Sequence, residues 1–156
     1  ALDELRLASS GRKGDPVEVN SAKLWLKLLG MLDKKDYQYD TSLYGDMDEL
    51  AEKVAYFFHS SLQGVEAAPN ALTTLMTLST NGLRQALLAD AQPFTVVQLI
   101  RALREQGPVP LPDSLFQPSL NTLSYVEGMR KPARTLFLRA MDRFNKLGLE
   151  PGQVLY

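Results

Sequence analysis

No cysteine occurs in the 156 residues, which excludes disulfides, thiolate metal sites and thiol catalysis together. A chain without cysteine is expected in the cytoplasm or another reducing compartment. Histidine and tryptophan occur once each, as His59 and Trp25. No run approaches the roughly 18 apolar residues that a membrane span needs, so no span is expected. The start, Ala-Leu-Asp-Glu, has neither a methionine nor the basic-then-apolar pattern of a secretory signal. A processed product or a piece of a longer chain is therefore expected. Glycosylation sequons are lacking, as are Gly-x-Ser-x-Gly elbows, phosphate loops and dinucleotide-binding glycine motifs. These absences leave no catalytic residue, cofactor or small-molecule substrate to name, and a non-enzymatic protein is the expectation.

What is present is ordinary globular material: 45% hydrophobic and 22% charged residues. A chain of this length is expected to form one domain, residues 1–156, with a core that needs no metal or disulfide. The net charge of −1 conceals a polarity, because residues 1–70 sum to −4 and residues 130–156 to +4. Such polarity can steer a partner or promote self-association.

The punctuation of the chain predicts helices. Leu2, Leu5 and Leu7 suggest a short helix over residues 1–8, followed by a Gly/Ser/Pro loop that runs to Pro16. Asn20 or Ser21 caps a nearly all-apolar helix expected to stop at Gly30. Residues 33–45 read as a polar loop. Asp46, with Glu49 three residues on, opens the clearest helix, whose apolar half carries Met47, Leu50, Ala51, Val54, Ala55, Phe57, Phe58 and Leu62. Pro69 opens the next. Its Leu72–Leu87 register survives across Asn81-Gly82, which predicts one helix, kinked there, over the alternative hairpin.

Pro93 opens a helix that Gly107 ends, and Pro108 to Pro112 reads as a stiff extended connector. Pro118 starts a shorter helix to about Glu127, and Pro132 starts the last, which ends at Gly148 before a tail over 148–156. The sum is an all-α, single-domain compact bundle of about six or seven helices without repeats. Trp25, Leu28, Leu50, Val54, Phe57, Leu99 and Phe144 are expected to meet in one core.

Three groups of residues are candidates for function. The last helix carries Arg130, Lys131, Arg134, Arg139, Arg143 and Lys146 against Asp142 alone. Such a cluster suits phosphate contacts or an acidic protein surface, although late cations also complement the helix dipole. Tyr37, Tyr39 and Tyr44 lie in the acidic loop and offer large contact area with few rotatable bonds. At least one is expected to anchor the loop on the core instead. Asp33, Asp36, Asp40, Asp46, Asp48, Glu49 and Glu52 do not follow calcium-loop spacing, and no metal site is expected. His59 lies just outside the apolar arc of its helix, near Asp48 and Glu52 on the wheel, and reads as a surface histidine at a helix boundary. The expected function is a helical interaction or assembly module that binds a protein partner or itself. The alternative is a nucleocapsid-like, nucleic-acid-binding protein that uses the basic helix.

Overall fold

The computed structural model describes residues 14, 16–62 and 64–156. The helix expected over residues 1–8 and most of the loop after it lie outside the described residues. Eight α-helices follow: α1 Ser21–Asp33, α2 Thr41–Tyr44, α3 Met47–Leu62, α4 Ala71–Thr80, α5 Thr95–Arg104, α6 Pro112–Leu115, α7 Ser124–Glu127 and α8 Arg134–Asn145. Two 3₁₀ turns, Pro118–Leu120 and Pro151–Gln153, and two short strands, β1 Leu88–Ala89 and β2 Thr122–Leu123, complete the described residues. The protein is mainly helical, and no helix is long and apolar enough to cross a membrane among the described residues.

α1 and α3 form a helical hairpin. The Asn20 side chain accepts from the amide of Lys23 and starts α1. Asp46 caps α3 by accepting from Glu49 at 2.9 Å. Between them Leu29, Leu50 and Ala51 are buried, with Trp25, Leu26, Tyr39, Met47 and Val54 packed around them. α1 runs through Gly30 and stops where Asp36 takes a left-handed φ of 59°, with Tyr37 N–H returning to the Leu32 carbonyl. Gly30 keeps ordinary helical geometry because the apolar packing on both sides of it outweighs its weak intrinsic preference to leave the helix.

A second cluster joins Leu72 of α4, Ile100 and Leu103 of α5, Leu115 of α6 and Phe116. Gln106 locks α5 to α4, since its side-chain oxygen accepts from Leu72 N–H and its amide donates to the Ala68 carbonyl. The continuous helix expected through Gly82 does not form. Gly82 adopts φ 76°, while Leu83 N–H bonds back to Leu78 and Gly82 N–H to Ser79. This is a Schellman stop, for which glycine carries no Cβ penalty. The chain then extends into β1, so the apolar register past residue 82 belongs to extended backbone.

β1 and β2 pair in parallel, Leu88 against Thr122 and Ala89 against Leu123. Parallel neighbours need a long crossover, and α5 and α6 supply it. The helix expected from Pro118 to Glu127 is therefore interrupted: a 3₁₀ turn, then β2, then the single turn of α7. Pro108 to Leu111 lies outside any helix or strand, with Leu111 extended at φ −56° and ψ 139°, but Pro112 is the first residue of α6. A third cluster, Met129, Ala133 and Leu136 with Leu88 against it, seats α8 on the sheet.

Among the described residues the core is thus three clusters, not one centred on the seven residues expected. Phe57 in particular is 73% exposed. Leu50 is buried, Trp25 and Val54 flank the hairpin cluster, and Leu99 flanks the α4–α5 cluster. Phe144 borders an open cavity.

Candidate interaction surfaces

The six cations of the basic end fall into different environments. Glu127, with 6% of its side chain exposed, receives Arg139 Nη1 on one carboxylate oxygen and Arg143 Nη2 on the other, each at 2.5 Å. Arg143 also donates to Thr122 Oγ1 at 2.9 Å, and Arg139 to the Glu127 carbonyl at 3.3 Å. Burial alone would raise the Glu127 carboxyl, but the hydrogen bonds and charges of the two guanidiniums prevail and hold it below its usual range. Arg139 and Arg143 are thus occupied in joining α8 to α7 and β2. Lys146 pairs with Asp142 one helical turn away at 2.7 Å, and both are well exposed. Arg130 stands 3.9 Å from Asp90, whose other oxygen accepts the Lys131 backbone amide. Arg134 is exposed, without an ion-pair partner among the described residues. Of the six, Lys131 and Arg134 have no side-chain ion-pair partner among the described residues, and Arg130 has only the long contact to Asp90.

The tyrosines also divide. Tyr39 packs on the hairpin cluster and anchors the loop. Tyr37 and Tyr44 are exposed. The loop itself contains α2, capped by Asp40, whose carboxylate accepts from the Ser42 hydroxyl and amide and is held below its usual pKa by these bonds, the hydroxyl's first. Lys53 of α3 donates to the Tyr44 carbonyl at 2.7 Å, which ties the loop to the hairpin.

His59 stacks obliquely on Phe94 with ring centres 5.2 Å apart and meets Phe58 edge-on at 5.7 Å. It borders a 360 Å³ polar cavity with Glu18, Asp90 and Arg130. No hydroxyl is hydrogen-bonded to it among the described residues. Glu18 itself serves the fold: it accepts from the Ser124 hydroxyl at 2.6 Å and from Gln92, and Gln92 accepts from Ser21 N–H at 2.8 Å. Among the described residues no group of three or more acidic or histidine side chains is placed to hold a metal ion.

The feature missed in the sequence is an open apolar face. On a 100° wheel, Leu50, Val54, Phe57, Phe58, Ser61 and Leu62 continue one stripe along α3. Its first half is covered by α1, and Trp25 still reaches Phe58, 5.3 Å away and edge-on. The side of the stripe turned away from Trp25 is open. Phe57 is 73% and Leu62 69% exposed, and Met31, Leu32 and Leu43 of the same hairpin region are exposed as well. The stripe was legible as apolar, but where its cover stops depends on the placement of α1.

Comparisons with protein-family models, with curated proteins and with solved structures return no match.

Proposed function

We propose that this chain is a non-enzymatic helical interaction and assembly module, and that the uncovered apolar face of the α1–α3 hairpin docks a protein surface, in the first instance another copy of itself. The observation that carries this reading is the stripe on α3 that outruns its cover and leaves Phe57 and Leu62 in solvent. Exposed large apolar side chains grouped on one helix face are a mark of interaction sites in folded proteins. Tyr37 and Tyr44 at the edge of the hairpin supply the rigid amphipathic contacts that interfaces favour. The acidic run Asp33 to Glu52 and the cations Arg130, Lys131 and Arg134 give the same chain faces of opposite sign, which favours association between copies.

Nucleic-acid binding remains the second reading, supported by Arg130, Lys131 and Arg134 at one end of α8. It is weakened because Arg139, Arg143 and Lys146 already have carboxylate partners. Sizing across protein concentration, run beside a salt-titrated binding assay with double-stranded DNA, separates the two. Association that rises with concentration, without measurable DNA affinity, supports the module. Binding that falls steeply with salt supports the alternative.

A further inference from the structure

The connector between α5 and α6 has a helical form of its own. Each proline holds its φ at about −65°, and a residue before proline is pushed to extended backbone, which covers Val109 and Leu111. Leu111 has φ −56° and ψ 139°, close to the polyproline II geometry of about −75° and +145°. That left-handed helix has about three residues per turn, so positions i and i+3 share a ridge. Burial follows this period. Val109 and Pro112 are half-buried, and Val109 packs on the α4–α5 cluster. Pro108 and Leu111 are exposed, Leu111 by 79%, and Pro110 is exposed on the third ridge. The connector thus turns an apolar ridge, Pro108 and Leu111, to solvent.

At the other end of α5 lies a groove of about 350 Å³ lined by Tyr56, Pro93, Phe94 and Val97, with exposed Glu52 and Lys53 beside them. The Tyr56 and Phe94 rings meet edge-on at 5.8 Å, and Arg101 donates to the Tyr56 hydroxyl, which fixes that ring. Val97 is 53% exposed. Grooves lined by aromatic rings are where polyproline II segments dock, since that helix is already formed and loses little entropy on binding. Charge matches as well: exposed Arg104 and Asp113 bracket the connector, as Glu52 and Lys53 border the groove. The chain cannot use its own connector here. The 10 residues of α5 separate the two by about 15 Å along the helix axis, and Val109 ties the connector to the far end.

We infer that the groove at the start of α5 receives connector 108–112 of a second copy, with Pro108 and Leu111 seated against Tyr56, Phe94 and Val97. Groove and connector lie at opposite ends of one helix, so each copy offers one and accepts one, and the contact is head-to-tail. It uses neither Phe57 nor Leu62 and does not depend on docking through the hairpin face.

A fluorescein-labelled peptide of residues 106–113, titrated with the whole protein and followed by anisotropy, tests the assignment. The expected result is saturable binding. Val97→Glu puts a charge into the groove from an exposed position in the first turn of α5, where a carboxylate suits the helix. It should weaken binding about tenfold or more, as loss of a central apolar anchor does. The peptide carrying Pro108→Ala and Leu111→Ala should lose as much. The peptide carrying Val109→Ser, altered on the other ridge, should stay within about twofold of the unaltered one, as contacts away from the anchors do. Phe57→Ser/Leu62→Ser should bind the peptide as the parent does, so a failure here leaves the hairpin reading standing. No saturable binding by the parent overturns the inference, as does binding indifferent to Val97→Glu or to the loss of the Pro108 and Leu111 side chains. Binding lost in a folded Phe57→Ser/Leu62→Ser moves the peptide to the hairpin face and overturns it too.

Discussion

Arg143 meets Glu127 at 2.5 Å across the gap between α8 and α7, and this contact decides how the basic end of the protein is read. With Arg139 on the second carboxylate oxygen, two cations that a sequence places on a surface become the bolt that holds the last helix. Removing the carboxylate takes the charged acceptor from both guanidiniums, leaving Arg139 the Glu127 backbone carbonyl and Arg143 the Thr122 hydroxyl oxygen. Glu127→Gln is therefore expected to destabilise by about 1.5–3 kcal/mol in urea titration. That is less than the ~3–5 kcal/mol of a fully buried broken pair, because the arginines keep some access to water.

The same pair sets an acid limit. The folded-state carboxyl of Glu127 is lowered relative to the unfolded chain, so its stabilisation is fully present above the unfolded value of about 4.3. It is lost as pH falls through the lower folded value. Stability measured from pH 6 down to pH 2 should fall more steeply for the parent than for Glu127→Gln. Parallel curves would show that Glu127 contributes nothing to the acid transition.

The less engaged cations should behave differently. Replacing Arg130, Lys131 and Arg134 together by glutamine is expected to change stability by less than about 1 kcal/mol, since exposed charges contribute little to folding. Arg143→Gln alone should exceed that, because it strips both Glu127 and Thr122 of a donor. Thermal unfolding of the two variants side by side checks the division.

Glycines that look alike in the sequence should respond with opposite signs. Gly82→Ala forces an L side chain into φ 76°, though nothing lies within 4 Å of the added carbon; a loss of about 1 kcal/mol is expected. Gly30 sits inside α1 with equally open space, so Gly30→Ala should gain about 0.5–1 kcal/mol. Denaturant midpoints for the two variants provide the test.

These two glycines also show what the sequence could express. Helix starts were legible because a cap is local: Asn20 and Asp46 each accept an amide three residues ahead. Helix stops were less so, because glycine permits a left-handed turn without requiring one. At Gly30 the flanking apolar residues kept the helix going; at Gly82 it ended. The two-residue strands were not legible, since Leu88 and Thr122 pair across a crossover that no local pattern encodes. For the candidate surfaces, charge and apolar character could be read, but their availability could not. Whether Arg143 is free depends on Glu127, sixteen positions away, and whether Phe57 is covered depends on which side of α3 faces α1, since Trp25 reaches the next residue, Phe58.

Core and face should separate in a mutational comparison. Leu103 and Leu136 are almost wholly buried, and truncation of either to alanine is expected to cost about 2–5 kcal/mol through the cavity left behind. Phe57→Ala should cost less than about 1 kcal/mol, as a largely exposed side chain has little packing to lose. Comparable losses at Leu103 and Phe57 would mean that the hairpin face is covered.

Sedimentation equilibrium of the parent and of Phe57→Ser/Leu62→Ser, over a hundredfold range of concentration, bears most directly on the assembly reading. The expected result is a parent whose apparent mass rises with concentration and a folded double variant that stays at the monomer mass of 17.4 kDa. A parent that remains monomeric throughout, or a variant that associates as strongly as the parent, would contradict assembly through this face.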